Sequence, residues 1–86
     1  MLPTPTTVSV TASSSLAIAS GYREGLSVRN TGSETIYFGY GAAAVAGAPE
    51  CLTAGQRGII GGRAALESLH VVCDSGKTST LALQEV

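Results

Sequence analysis

Charged side chains are scarce in this chain and make up 13% of its 86 residues, about half of the roughly 25% that is typical of soluble domains. The formal net charge is −1, and only five residues are Lys or Arg. This composition gives no electrostatic attraction to nucleic acid or to an anionic membrane, so we expect neither as a partner. A surface so poor in charge is typical either of a protein covered by neighbours or of one kept soluble by Ser and Thr.

Long apolar runs and cysteine frameworks are also missing from the sequence. No stretch approaches the roughly 18 consecutive apolar residues of a transmembrane helix. The first residues, MLPTPTTVSVTASSS, lack both the basic and the apolar region of a signal peptide. Cys51 and Cys73 are too few for a disulfide-rich scaffold, and they lack the close spacing of zinc ligands. We therefore expect two free thiols and no metal site.

Motifs that would indicate catalysis or cofactor binding are incomplete. In GYGAAAVAG, Ala44 occupies the position where a dinucleotide-binding loop needs its third glycine. In VVCDSGKTST, Val71 occupies the position of the first P-loop glycine. The single histidine, His70, and the singly scattered acidic residues form no acid–base or nucleophile pattern. The sequence therefore predicts a protein that is not an enzyme and binds no cofactor.

Alternation of apolar and polar residues runs through most of the chain. A period of two is typical of strands with one buried and one solvated face, and abundant Thr, Val and Ile favour the same geometry. The alternating runs are TVSVTA, SLAIAS, GLSVRN, ETIYFG, LHVVC and TLALQEV. Turn signals separate them at intervals of about 8–12 residues, and helical spacing appears only in GRAALESLH. We predict an all-β single domain, a compact β-sandwich or jelly-roll-like barrel of about seven or eight short strands.

The first seven residues, MLPTPTT, differ from the rest of the chain. Two prolines favour an extended, polyproline-like path, and the segment carries no charge. We predict an N-terminal arm at residues 1–7, followed by the β-sandwich domain at residues 8–86. The arm is either simple terminal disorder or a segment that lies against a neighbouring subunit. In the second case its contact residues are Leu2, Pro3 and Pro5.

Aromatic residues are few, with three Tyr, one Phe and no Trp. Modules that stack sugars or bases usually carry more aromatic platforms. The phase of the alternation predicts that Phe38 faces the core. Tyr37 and Tyr40 are the aromatic candidates for partner contact, because a tyrosine combines an apolar ring with a polar tip.

The stretch YREGLSVRNTGSETIYFGYGAAAVAGAPECLTAGQRGII resembles small virion proteins of tailed bacteriophages, the β-rich modules that decorate or cement the capsid. The resemblance lies in an Arg-led strand that ends in Asn (23–30), a Gly-Ser turn (32–33), a strand of the type IYFGYG (36–41) and the sequence LTAG (52–55). The closing segment LHVVCDSGKTSTLALQEV is similar to the final hairpin of such proteins.

This resemblance implies a non-enzymatic structural protein of the virion, bound to the major capsid protein on the capsid exterior and assembled in the host cytoplasm. The low charge and small core add the expectation of a homo-oligomer, for which we expect a trimer. The alternatives are a phage tail or fibre attachment module and a small carbohydrate-binding β module. In this interpretation Gly39 and Gly41 allow the strand to bend out of the sheet and do not cradle a phosphate.

Overall fold

The structure, a computed structural model, describes residues 6–85 as two four-stranded antiparallel sheets that form a sandwich. Sheet A has the strand order β1-β8-β3-β6, and sheet B has the order β2-β7-β4-β5. The elements are β1 (Thr6–Val10), β2 (Ser15–Ile18), β3 (Gly25–Asn30), β4 (Ile36–Tyr40), β5 (Cys51–Leu52), β6 (Arg57–Gly61), the single helical turn α1 (Arg63–Leu66), β7 (Leu69–Val72) and β8 (Ser79–Glu85). The predicted all-β sandwich is confirmed.

The alternation of apolar residues builds the core between the two sheets. In β3, Leu26 and Val28 are buried while Arg29 is exposed, and in β8, Leu81 and Leu83 are buried. Burial of one such side chain contributes about 1.5–3 kcal/mol, so this shared cluster is the main source of stability. Its buried members are Val10, Leu26, Val28, Ile36, Phe38, Leu52, Ile60, Ala65, Leu69, Val71, Cys73, Leu81 and Leu83.

Strand β1 begins at Thr6, so the last two residues of the segment expected to be an arm lie in sheet A. Thr6 pairs with Leu83, and Thr7 pairs with Ala82. Both threonine side chains are exposed, so the alternation of apolar residues does not predict the part of β1 that precedes Val8. Outside the described residues lie three of the expected contact residues: Leu2, Pro3 and Pro5.

Asn30, the last residue of β3, is buried and connects the two sheets. Its Nδ2 donates to the carbonyl oxygens of Glu34 at 2.6 Å and of Leu52 at 2.9 Å. Its Oδ1 accepts from the backbone N–H of Gly32 at 3.1 Å and from the hydroxyl of Ser79 at 2.8 Å. Two donated and two accepted bonds use the full capacity of an amide group. One side chain therefore holds together the turn after β3, strand β5 of sheet B and the start of β8.

The segment after β4 folds back over the outer face of sheet B at Gly39. A Cβ atom on Gly39 would lie 2.8 Å from the carbonyl oxygen of Ala42, and 2.9 Å from both the carbonyl oxygen of Ala43 and the Cα of Ala44. Gly41 has a φ of +72°, a conformation that residues with a Cβ rarely adopt. The two glycines thus permit a change of direction and a close backbone approach, which agrees with the prediction of a bend.

Candidate interaction surfaces

The loop between β2 and β3 is anchored by Arg23, whose side chain is only 4% exposed. Its Nη1 donates to the carbonyl oxygens of Ala65 and Glu67, and its Nη2 donates to that of Ala19 at 2.6 Å. Its Nε lies 3.6 Å from a carboxylate oxygen of Glu85 and makes no hydrogen bond within the described residues. One guanidinium group therefore ties the loop to α1 and to the end of β8.

Tyr22, which directly precedes this anchor, is 98% exposed. An open cleft of about 460 Å³ lies beside the ring and is also lined by Glu24, Gly62 and Leu66. Leu66 is itself 37% exposed. A large aromatic side chain on an anchored loop is well suited to contact a partner, because the anchor reduces the backbone entropy that would be lost on binding.

Tyr37 lies on the outer face of sheet B, where it pairs with Val72 of β7 and Cys51 of β5. Its hydroxyl donates to Oδ2 of Asp74 at 3.2 Å. Partial burial, and after it the Asp74 carboxylate, raise the pKa of the Tyr37 phenol above its ordinary value. The Tyr37 hydroxyl is therefore protonated at neutral pH and can donate this hydrogen bond.

Two exposed apolar side chains add to the surface around sheet B. Leu16 in β2 is 53% exposed, and Val45, on the segment that folds over this sheet, is 67% exposed. Leu16 is directly opposite His70 in the register. His70 is half-buried, and within residues 6–85 the one hydrogen-bond partner of its imidazole ring is the hydroxyl of Ser68, 3.2 Å from Nε2.

Tyr40, the other tyrosine expected to contact a partner, packs against the core. It is in phase with Phe38, and the two side chains line a cleft of about 260 Å³ between the sheets, next to β5 and β6. Leu52 and Ile60 line the same cleft. The structure therefore separates the two expected contact residues, with Tyr37 on an outer face and Tyr40 in the opening between the sheets.

Comparison of the chain with known protein families, with curated proteins and with solved structures found no match. In the part of the chain that the structure describes, no group of three or more His, Cys, Asp and Glu residues is placed to hold a metal ion. Nor does that part contain a helix of the length and hydropathy needed to cross a membrane.

Both thiols are free, as the sequence predicted, with Cys51 half-buried and Cys73 buried. Burial is the main cause that raises the pKa of the Cys73 thiol, and the carboxylates of Asp74 and Glu34 raise it further. A thiol with a raised pKa is a weak nucleophile at neutral pH. Cys73 therefore belongs to the core, which its place in the Leu69 and Val71 alternation predicted.

The sequence patterns did not single out the exposed Tyr22 or the anchoring role of Arg23. Tyr22 falls in the gap between two alternating runs, where no period assigns a face, and the resemblance placed Arg23 in a strand at 23–30, whereas β3 begins at Gly25. The available signal was a tyrosine next to a glycine in that gap. Its neighbour Arg23 bonds to the carbonyl groups of Ala65 and Glu67, which are more than 40 residues away in the chain.

Proposed function

We propose that the protein is a non-enzymatic structural protein of a phage virion, a decoration or cement protein that binds the major capsid protein on the outside of the head. The resemblance to such proteins, which covers most of residues 20–86, supports the virion role. The observation that supports binding is Tyr22, which is 98% exposed on a loop anchored by Arg23, whose side chain is 4% exposed.

Tyr22 makes no contribution to the core, because its ring is almost fully in water. Tyrosine is nevertheless enriched among the residues that dominate binding energy at protein interfaces. The anchoring of Arg23 to Ala19, Ala65 and Glu67 fixes the loop before a partner arrives. A fixed loop loses less entropy on binding. This suits a cement protein, which must bind the same shell surface in many copies.

Association between copies is the second part of this proposal. A chain with 13% charged residues leaves much of its surface neutral, and a trimer around a symmetry axis of the shell would cover part of it. Residues 1–5 are placed against a neighbouring subunit or the shell in this proposal. Deleting residues 2–5, which leaves β1 intact from Thr6 onward, should keep the thermal midpoint and weaken retention on heads.

The decisive experiment is co-sedimentation with expanded heads that lack the protein. We expect wild-type protein to sediment with the heads and to raise their disruption temperature. Tyr22→Ala should weaken binding about 30-fold, the equivalent of about 2 kcal/mol for a dominant interface residue. Tyr22→Phe keeps the ring and should stay within about threefold of wild type. Circular dichroism should give both variants the wild-type thermal midpoint, since the side chain lies outside the core.

Three outcomes would contradict the proposal in different ways. Equal binding by Tyr22→Ala would move the interface away from this loop. Binding to purified tails but not to heads would favour the tail or fibre attachment module. A change in tyrosine fluorescence on addition of an oligosaccharide, abolished by Tyr22→Ala, would favour a carbohydrate-binding module whose sugar stacks on Tyr22 in the open cleft.

A further inference from the structure

Two arginines lie side by side on the outer face of sheet A, away from Tyr22. Arg29 of β3 and Arg57 of β6 are direct cross-strand partners in the register. Both residues are exposed. On the other side of Arg29 the register continues with Ala82 and then Thr7, so the arginines stand next to short side chains.

This pair is unfavourable for the fold, because like charges directly opposite each other on neighbouring strands repel. Cross-strand partners have Cβ atoms about 4.5–5.5 Å apart. Within residues 6–85 neither guanidinium group makes an ion pair or a hydrogen bond, whereas Arg23 is paired with Glu85. Two of the five basic residues of the chain are thus adjacent, and residues 6–85 provide no counterion for them.

The surroundings of the pair leave room for an incoming group. A shallow groove of about 210 Å³ follows the sheet surface and is lined by Ser27, Arg29, Arg57, Ala82 and Gln84. The planar guanidinium group of arginine matches a carboxylate in shape and can form two parallel hydrogen bonds with it. Ile59, which is directly opposite Ser27, is 66% exposed and offers an apolar contact beside the charges.

We propose that this face binds an acidic segment of a partner protein, with one Asp or Glu carboxylate between Arg29 and Arg57 and an apolar neighbour against Ile59. A protein fits better than a nucleic acid, because the described residues of this face include no aromatic side chain on which a base could stack. Arginine is enriched at protein interfaces relative to the rest of the surface. The assignment does not depend on whether the partner belongs to a virion.

The test is a titration of the full ¹⁵N-labelled chain, followed through the Nε–Hε signals of its arginines by NMR. The probe is a capped pentapeptide of alternating aspartate and leucine, and its control has asparagine in place of each aspartate. We expect the Arg29 and Arg57 signals to shift together and to saturate, while Arg63, an exposed arginine of α1, stays unchanged. The affinity should fall as the concentration of NaCl rises, because the site is exposed to solvent.

Substitutions distinguish a binding role from a structural one. Arg29→Gln and Arg57→Gln should each lower the affinity for the peptide about 10-fold or more, because each removes a charged hydrogen bond. Arg63→Gln should have less than about a twofold effect. The thermal midpoint of Arg57→Gln should equal or exceed that of wild type, since a repulsion is removed.

Four results would overturn the proposal. Equal affinity for the asparagine peptide would exclude carboxylate recognition. Parallel shifts of all arginines, Arg63 included, would indicate only general screening. Tighter binding of inorganic phosphate or of hexathymidylate than of the acidic peptide would assign the face to a phosphate-bearing ligand. A lower thermal midpoint for both Gln variants would show that the arginines stabilise the fold itself.

Discussion

Replacement of Asn30 by alanine is the sharpest test of how the two sheets are held together. The substitution removes four hydrogen bonds at once and leaves their partners inside the protein. The bonds with Leu52 and Ser79 are buried, and those with Glu34 and Gly32 are partly buried. We take about 1–2 kcal/mol for each buried bond and about 0.5 kcal/mol for each partly buried one. The expected loss in the free energy of unfolding is therefore about 3–5 kcal/mol.

This loss is large for a domain of 86 residues, whose total stability is on the order of 5–10 kcal/mol. Urea denaturation followed by circular dichroism measures it, with linear extrapolation to water. Ser79→Ala is the matched control, because it removes one of the four hydrogen bonds while Oδ1 of Asn30 still accepts from the backbone N–H of Gly32. It should lose about 1 kcal/mol, and it remains measurable even if Asn30→Ala does not fold.

Asn30→Asp adds a test through pH. The new oxygen would face the carbonyl groups of Glu34 and Leu52, which accept hydrogen bonds and cannot donate them. Only the protonated carboxyl can donate there, so the fold raises the pKa of the introduced group above its value in the unfolded chain. The variant is then most stable below the unfolded pKa and loses stability as the pH rises through the folded pKa. A loss below about 1 kcal/mol for Asn30→Ala, or equal stability of Asn30→Asp and wild type at pH 7, would refute the assigned network.

Three further predictions concern the backbone, the thiols and self-association. Gly39→Ala should lower the free energy of unfolding by about 2 kcal/mol or more, because the added Cβ would lie 2.8–2.9 Å from backbone atoms. In the control Gly61→Ala the added Cβ has no atom within 4 Å, so urea titration should show a loss of less than about 1 kcal/mol. Alkylation at neutral pH should modify Cys51 before Cys73, since burial raises the pKa of the Cys73 thiol and shields it; mass spectrometry that finds equal rates, or a bridge between the two, would contradict this. Sedimentation at micromolar concentration should detect a species larger than the monomer. If only monomer is found at high concentration, copies of the protein would associate only on the capsid.

The sequence predicts those strands that have one face toward the core and the other face away from it. Alternation in GLSVRN and TLALQEV identifies β3 and β8, because each has one face in the core and one in water. Strand β6 escapes this rule, since Ile59 and Ile60 are adjacent and only Ile60 is buried. Strand β5 has two residues and is too short to have a period.

Contacts between distant parts of the chain are what no local pattern could predict. The sequence Asn-Thr-Gly-Ser predicted a turn, but the partners of Asn30 in β5 and β8 follow it by 22 and 49 residues. The facing of Arg29 and Arg57 depends in the same way on the pairing of β3 with β6. Strand order decides which side chains become neighbours, and many orders satisfy the same alternation.

The position of β8 between β1 and β3 has a consequence for how the chain reaches its fold. The register joins residue 6 to residue 83 and residue 30 to residue 81, so sheet A closes only through the last strand that the structure describes. Pairings this distant in sequence slow folding, typically to milliseconds or seconds for all-β domains. During synthesis the chain is exposed to proteases and to wrong strand pairing until residues 79–85 are available. A premature stop before residue 79 should therefore yield no folded fragment, rather than a smaller version of the domain.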